Sequence, residues 1–322
     1  MGAENMKLTK RRYDSDEDSW RIRAFLRDVF LRNSRLERSW QAYRFDYWRW
    51  HGIMNLDDGI LEDVFIWQDG DGHIVAVLNQ ESNGQAFLQV DPGLRSVELE
   101  EEMIATAEEH LARPNADGAR PSEDGGDHLL VWANEHDKLR QDVLARRGYS
   151  KEDWAEYQRR RTLAAPIPDA RPAAGYTVRA LGDGAELLER SYASGLAFHP
   201  DDISYAVENR ADVNWYRNIQ NAPLYRRDLD IVAIAPDGAV ASFCTIWFDD
   251  VTRSGAFEPV GTVPAHQRRG LGKTVMAEGL RRLRRIGATM AYVGSYSVEA
   301  HGLYAAMGFT DYELNEPWTR TF

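Results

Sequence analysis

The run Phe257-Glu-Pro-Val-Gly-Thr-Val-Pro-Ala-His-Gln-Arg-Arg-Gly-Leu-Gly-Lys273 decides how the rest of the chain is read. Up to Val263 its apolar spacing and β-branched residues suit a strand, and Pro264, with no N–H to give, ends the ladder. From Leu271 the period changes, with Leu271, Val275, Met276, Leu280 and Leu283 on one helical face. A strand therefore passes into a helix through Gln267-Arg-Arg-Gly-Leu-Gly272. Gly270 and Gly272 remove side chains where a ligand would come close, and they permit dihedrals that aim successive N–H groups at one point. The positive end of the helix makes this a seat for a diphosphate, with Arg268, Arg269 and Lys273 around it. Taken alone, the six residues also fit a basic turn before an ordinary helix. Neither the dinucleotide fingerprint G-x-G-x-x-G nor the P-loop spacing is met.

What does fit is Q/R-x-x-G-x-G/A preceded by a proline, which resembles the acetyl-CoA pyrophosphate loop of the GNAT N-acetyltransferase family. After a strand-like run, Ala288 to Val293, the segment Ser297-Val-Glu-Ala300-His-Gly-Leu303-Tyr304-Ala-Ala-Met-Gly308-Phe309 is similar to that family's N-x-x-A-x-x-L-Y-x-x-x-G-F, with Ser297 in place of asparagine. The resemblance implies acetyl-CoA as acetyl donor and no metal. It implies cofactor contacts at Gln267, Arg268, Arg269, Gly270, Leu271, Gly272, Lys273 and Ser297. It also implies a backbone N–H for the thioester carbonyl on Gly261, Thr262 or Val263, and Tyr304 as the acid for the leaving thiolate; a core tyrosine is the lesser alternative. Glu258, on the strand before the loop, could take the amine's proton directly or through water. A structural carboxylate fits equally, because strand register decides whether it faces the cleft.

A chain of 322 residues suggests two domains, and 43% hydrophobic content with ten tryptophans can fill two cores. The single cysteine, Cys244, stands in an apolar strand and reads as packing. No apolar run reaches the length of a membrane span and no signal-like core opens the chain, so a soluble cytoplasmic protein is expected. A net charge of −12 argues against nucleic acid as a partner. The eight histidines show no metal-ligand spacing with carboxylates or cysteine.

Internal repetition organises the rest. Val64 to Leu78, broken by Asp69-Gly-Asp-Gly72, reads as a hairpin, and the same pattern returns at Ile231 to Phe243 around Asp237-Gly238. Pro92 to Glu100 can then be laid over Pro264 to Gly272 without a gap. Arg95 meets Gln267 and Leu99 meets Leu271, but the two glycines become Glu98 and Glu100. Two anionic side chains in the phosphates' place bring steric exclusion and like-charge repulsion together. Leu144 occupies the slot of Tyr304, so the first copy reads as having lost both cofactor binding and the acid.

Other stretches carry less. Trp40 to His51 alternates aromatic rings with arginine, which invites a single-strand nucleic-acid reading. Helical spacing and the charge balance favour a packed helix face or inter-domain contact, with a substrate-pocket lining left open. Pro114 to Asp127 reads as a Pro/Gly/Asp-rich loop, Thr162 to Ala174 as a linker. Phe198-His199-Pro200 and the helix to Ile219 lie over the acceptor pocket of a GNAT-like domain, where His199 reads first as a surface or capping histidine.

The whole pattern resembles tandem GNAT proteins of the mycothiol-synthase type. The expectation is an α/β (α+β) protein of two GNAT-like domains, each a mixed, mostly antiparallel sheet flanked by helices. Residues 1–165 form the degenerate copy and 175–322 the catalytic one, the first helping to shape the acceptor site. The function expected is transfer of acetyl from acetyl-CoA to the primary amine of a small molecule; a non-enzymatic acetyl-CoA sensor or scaffold is the alternative. The sequence names neither the amine nor an oligomeric state.

Overall fold

The computed structural model describes residues 7–56, 60–114 and 126–322. Residues 1–6, and 115–125 of the expected Pro114 to Asp127 loop, lie outside the described residues. The chain starts with β1 (Thr9–Arg12) and α1 (Asp16–Arg32), then α2 (Ala42–Tyr47), which runs through a π-helical stretch (Trp48–Ile53) into α3 (Met54–Leu56). There follow β2 (Phe65–Gln68), β3 (Ile74–Asn79), β4 (Gln85–Val90), α4 (Val97–His110), β5 (His128–Asn134), α5 (Lys138–Arg146), β6 (Ser150–Lys151) and β7 (Glu156–Thr162). The later half holds β8 (Thr177–Ala180), α6 (Ala185–Phe198), α7 (Ile203–Ala211), α8 (Val213–Gln220), β9 (Asp230–Ile234), β10 (Val240–Asp249), β11 (Ser254–Thr262), α9 (Leu271–Arg285), β12 (Met290–Ser295), α10 (Val298–Ala306) and β13 (Asp311–Thr321).

The chain divides into two compact units. The first takes Met1–Phe45, Asp57–Glu156 and Glu313–Phe322; the second takes Asp46–Leu56 and Tyr157–Tyr312. In the first, the strand order is β1-β2-β3-β4-β5-β13, with β6 also on β13 and only β4–β5 parallel. In the second it is β8-β9-β10-β11-β12-β7, with only β11–β12 parallel. Each unit is thus a mixed, mostly antiparallel sheet with helices, and the two share one pattern.

These units are drawn differently from the ranges 1–165 and 175–322. The strand following each copy's last helix leaves its own copy: β7 pairs with β12, and β13 pairs with β5. Residues 46–56, from the early aromatic run, also group with the second unit. Alternation marks a strand in a sequence but does not say which edge it joins.

Burial follows the expected faces. Leu271, Val275, Met276, Leu280 and Leu283 of α9 are all buried against Ile231, Ala233, Ile246 and Phe257 of the sheet, each contributing about 2 kcal/mol of gross apolar burial. In the first unit Leu99, Met103, Ile104, Ala107 and Leu111 do the same against Leu78, Leu88 and Val131. Among the described residues, no helix is long and apolar enough to cross a membrane.

Candidate active site

The turn before α9 is built by backbone geometry. Gly270 stands at the helix N-cap with φ +76°, a left-handed conformation that a Cβ disfavours, and Arg268 is also left-handed at +62°. No side chain caps α9, whereas α4, α5, α7, α8 and α10 each start beneath an Asp or Ser oxygen that accepts a backbone N–H. The first turn of α9 therefore keeps its N–H groups for another acceptor. Leu271 is buried and anchors the turn, while Gln267 donates from Nε2 to the Thr262 carbonyl at 3.3 Å. Arg268, Arg269 and Lys273 are exposed and, among the described residues, have no ion-pair partner. An anion with two phosphates fits this cradle on donors, charge and space.

The same place in the first unit is closed. Ser96 Oγ accepts from Leu99 N at 3.2 Å and caps α4. Glu100, at the position of Gly272, is fully buried and accepts from Arg95 and from Arg140 Nε at 2.9 Å, with Asp137 beside them. Glu98, at the position of Gly270, is exposed at the start of the helix. Its carboxylate is held below the usual range by its own backbone N–H and the Ser96 hydroxyl, which sets a negative charge on the helix end itself. Leu144 lies where Tyr304 does, as the shared helix ends show: Tyr149 N donates to Leu144 O and Phe309 N to Tyr304 O, both at 3.0 Å, with Gly148 and Gly308 left-handed at 84° and 85°.

Strand β11 pairs with β12 only over Ser254–Ala256 and then parts from it. The cause lies at Glu258-Pro259. Cys244 faces Val260 and Ile246 faces Phe257, so both residues stand opposite Thr245 in a bulge, where a proline's missing N–H costs nothing. Trp247 Nε1 donates to the Glu258 carbonyl at 2.6 Å. Beyond the bulge, Val263 N donates to Ala241 O at 3.0 Å, and Gly261 pairs with Phe243. By the alternation of an antiparallel ladder, the N–H groups of Val260 and Thr262 turn to the other edge, where β12 has moved away. This corrects one expectation: the Val263 N–H is already taken. Gly261 is glycine because a Cβ would meet the Phe243 ring at 2.3 Å.

Tyr304 is nearly buried, on α10, whose N-cap Ser297 accepts from Ala300 N at 3.2 Å and keeps its own O–H to donate. Burial pushes the Tyr304 phenol well up, and the negative charge of Glu258 adds to the shift. The two candidate catalytic residues therefore stand within electrostatic reach of each other.

Residues 196–309 match the model of the acetyltransferase (GNAT) family. The chain carries a GNAT acetyltransferase domain. It is 27% identical over 268 residues to the mycothiol acetyltransferase of Kineococcus radiotolerans, covering 80% of each protein. It is 32% identical over 197 residues to that of Stackebrandtia nassauensis, covering 58% of each. A tandem GNAT protein from the clavulanic acid biosynthesis pathway matches over 98% of both chains with a TM-score of 0.63 at 14% identity, a likeness of fold.

Beside the bulge, the second unit has a cavity of about 270 Å³. Glu258 and Pro259 form one wall, and Ser194, Gly195, Phe198 and His199 of α6 another. Tyr205 of α7, Trp215 of α8, and Tyr47 and His51 from the early aromatic run complete it. All of these residues belong to the second unit. Glu258 thus faces the cavity, which the sequence left to register. His199 lines it as well, its ring 4.1 Å from Tyr205. Tyr47 and His51 belong to the early aromatic run, for which a pocket lining was the lesser of the open readings; Trp215 was not singled out from the sequence.

Cys244 is buried, 3.5 Å from the Val275 carbonyl, as a packing residue. One histidine does stand with carboxylates: Asp69, Asp71 and His73 come within 4.8 Å in the β2–β3 turn. There Asp69 Oδ1 already accepts from the N–H of Asp71 and of His73, which is turn chemistry.

Proposed function

We propose that this chain acetylates the primary amine of a small molecule, with acetyl-CoA as donor and the chemistry in the second unit. What carries the reading is the contrast between the two helix starts: α9 is uncapped, glycine-led and ringed by unpaired cations, and α4 is capped and anionic. Acetyl-CoA, when bound, supplies the acetyl group as an activated thioester. Gln267 to Lys273 would hold its diphosphate, with Ser297 a further donor nearby. Val260 and Thr262 offer N–H groups on the open edge of β11, placed for an oxygen that gains charge. Glu258 takes a proton from the amine, directly or through water. Tyr304 keeps its phenolic proton and is the acid. The cavity supports an acceptor of modest size, and the relatives' shared name supports acetyl transfer.

The test is release of free thiol from acetyl-CoA with a panel of primary amines, alongside calorimetry of acetyl-CoA binding. Amine-dependent release is expected. Tight binding with no release for any amine would instead favour an acetyl-CoA sensor.

A further inference from the structure

The stretch expected as a linker, Thr162 to Ala174, is fastened within the second unit. Arg161 Nη2 donates to the carbonyls of Ala165 and Pro166 at 3.3 and 3.0 Å, and Ile167, Ala170, Ala173 and Tyr176 pack against the core that buries Leu271 and Val275. It ends beside the turn before α9. There Tyr176 Oη lies 2.9 Å from His266 Nδ1, with the two rings edge to face, 5.8 Å between centroids at 84°. Thr274 Oγ1, buried in the first turn of α9, lies 3.1 Å from the Arg171 carbonyl and 3.0 Å from that of Gly270, and its one proton serves both.

These contacts flank the turn, His266 four residues before Gly270 and Thr274 four after it. Among the described residues, the side-chain hydrogen bonds tying 264–274 to the rest of the chain are three: Tyr176 with His266, Thr274 to Arg171, and Gln267 to Thr262. Two of them come from the stretch between the copies. Arg268, left-handed at φ +62° without being glycine, needs such holding, because a strained backbone persists only where its surroundings over-determine it. A tyrosine hydroxyl can donate or accept, so its bond to Nδ1 stands whichever ring nitrogen of His266 carries the proton.

We infer that this stretch is a strap that fixes the diphosphate seat, and that Tyr176 is a positioning residue for the acetyl donor, acting through His266. This rests on the turn before α9 being the seat for acetyl-CoA. Tyr176 works by holding the turn in the shape that leaves the first N–H groups of α9 open to an anion. A turn ordered before the ligand arrives spares the cost of ordering it on binding. Loosening the strap therefore weakens the hold on the diphosphate and spares the parts of the donor that lie elsewhere.

Two measurements test this. In the free protein the N–H groups of His266, Gln267 and Thr274 donate to Val263, Pro264 and Gly270. Their hydrogen exchange should be about fivefold or more faster in Tyr176→Phe than in the wild type, with that of Leu111 in the first unit unchanged. Equal exchange in both proteins overturns the inference. Titrations followed by amide chemical shifts then compare CoA with pantetheine, which lacks the diphosphate. Tyr176→Phe and His266→Ala should each bind CoA about fivefold or more weakly and pantetheine within about twofold of the wild type. His266→Asn, which keeps a polar partner for the hydroxyl, should stay within about twofold for both, and the double variant Tyr176→Phe/His266→Ala should be no weaker than either single one by more than about twofold. Equal losses for CoA and pantetheine, or an unchanged CoA affinity in Tyr176→Phe, overturn the inference and leave the seat standing. A wild type that binds CoA no more tightly than pantetheine overturns the seat and the inference with it.

Discussion

Burial keeps the Tyr304 phenol protonated well beyond its ordinary value of about 10, and the nearby Glu258 charge works in the same direction. An acid must hold its proton until the moment of transfer, so kcat should show no alkaline fall due to Tyr304 between pH 7 and 10. Tyr304→Phe should lower kcat about 100-fold or more while acetyl-CoA affinity stays within about twofold. Unchanged turnover in single-turnover assays would remove Tyr304 from the chemistry. The sequence made this residue visible because it sits in a spaced segment from Ser297 to Phe309. The surroundings of His51 were not legible, since they include Asn55 and also Trp215 and Asn218, more than 160 positions away. Burial pushes the His51 imidazole down, with a consequence for folding. The folded value, about 4, lies below the unfolded value of about 6.5, so the unfolded chain binds the proton first. Stability from this group is full above pH 6.5 and is lost as pH falls towards 4, roughly 2–3 kcal/mol by pH 4.5. Urea unfolding at pH 7 and pH 4.5 should show wild type losing more than His51→Gln by that amount; an equal loss in both proteins would place the imidazole in contact with solvent.

A helix start can be read from a few adjacent residues, which is why α4 and α9 are both recognisable in the sequence. Their N-termini differ at two positions aligned without gaps, Glu98 for Gly270 and Glu100 for Gly272, and physical chemistry assigns each a separate effect. Glu100 turns inward to bind Arg95 and Arg140, while Glu98 stays outside and places its charge on the helix end. The sequence showed that both were anionic but could not show their directions, because one of the two partners of Glu100, Arg140, lies forty residues on, in α5. Gly270→Glu should therefore weaken acetyl-CoA binding by about 100-fold or more, through charge on the uncapped turn and through strain at φ +76°. Gly270→Ala isolates the strain: it should cost about 1 kcal/mol of stability and much less affinity. Calorimetry on both variants decides the matter, and an unchanged affinity in Gly270→Glu would sink the cradle assignment. The bulge at Glu258-Pro259 was half legible. Proline in a strand announces an interruption, yet which neighbour is lost, and hence which edge opens, depends on the pairing of β11 with both β10 and β12.

The duplication was readable because hairpin turns, proline positions and helical faces recur in order, and the structure gives the two units matching strand orders with one parallel pair each. What escaped was ownership of the last strand in each copy. β7 is Glu-Tyr-Gln-Arg-Arg-Arg-Thr, a polar run that looks like the approach to a linker, yet it pairs along its length from Tyr157 to Thr162 with β12. β13 pairs with β5 from Asn315 to Thr321. Each half of the sequence thus carries a strand that the other unit's sheet needs, and neither sheet is complete from a contiguous half. Cutting the chain at the boundary that composition suggests, into 1–165 and 175–322, should leave two fragments that each expose an unpaired sheet edge and fold poorly alone. Co-expressed, they should restore both sheets, because 1–165 brings β7, together with Tyr47 and His51 of the cavity, and 175–322 brings β13. The expected result is co-purification of the two fragments, with thermal unfolding near that of the intact chain. Recovery of 175–322 as a cooperatively folded monomer that binds acetyl-CoA as tightly as the full protein would show that β7 is dispensable to the second sheet.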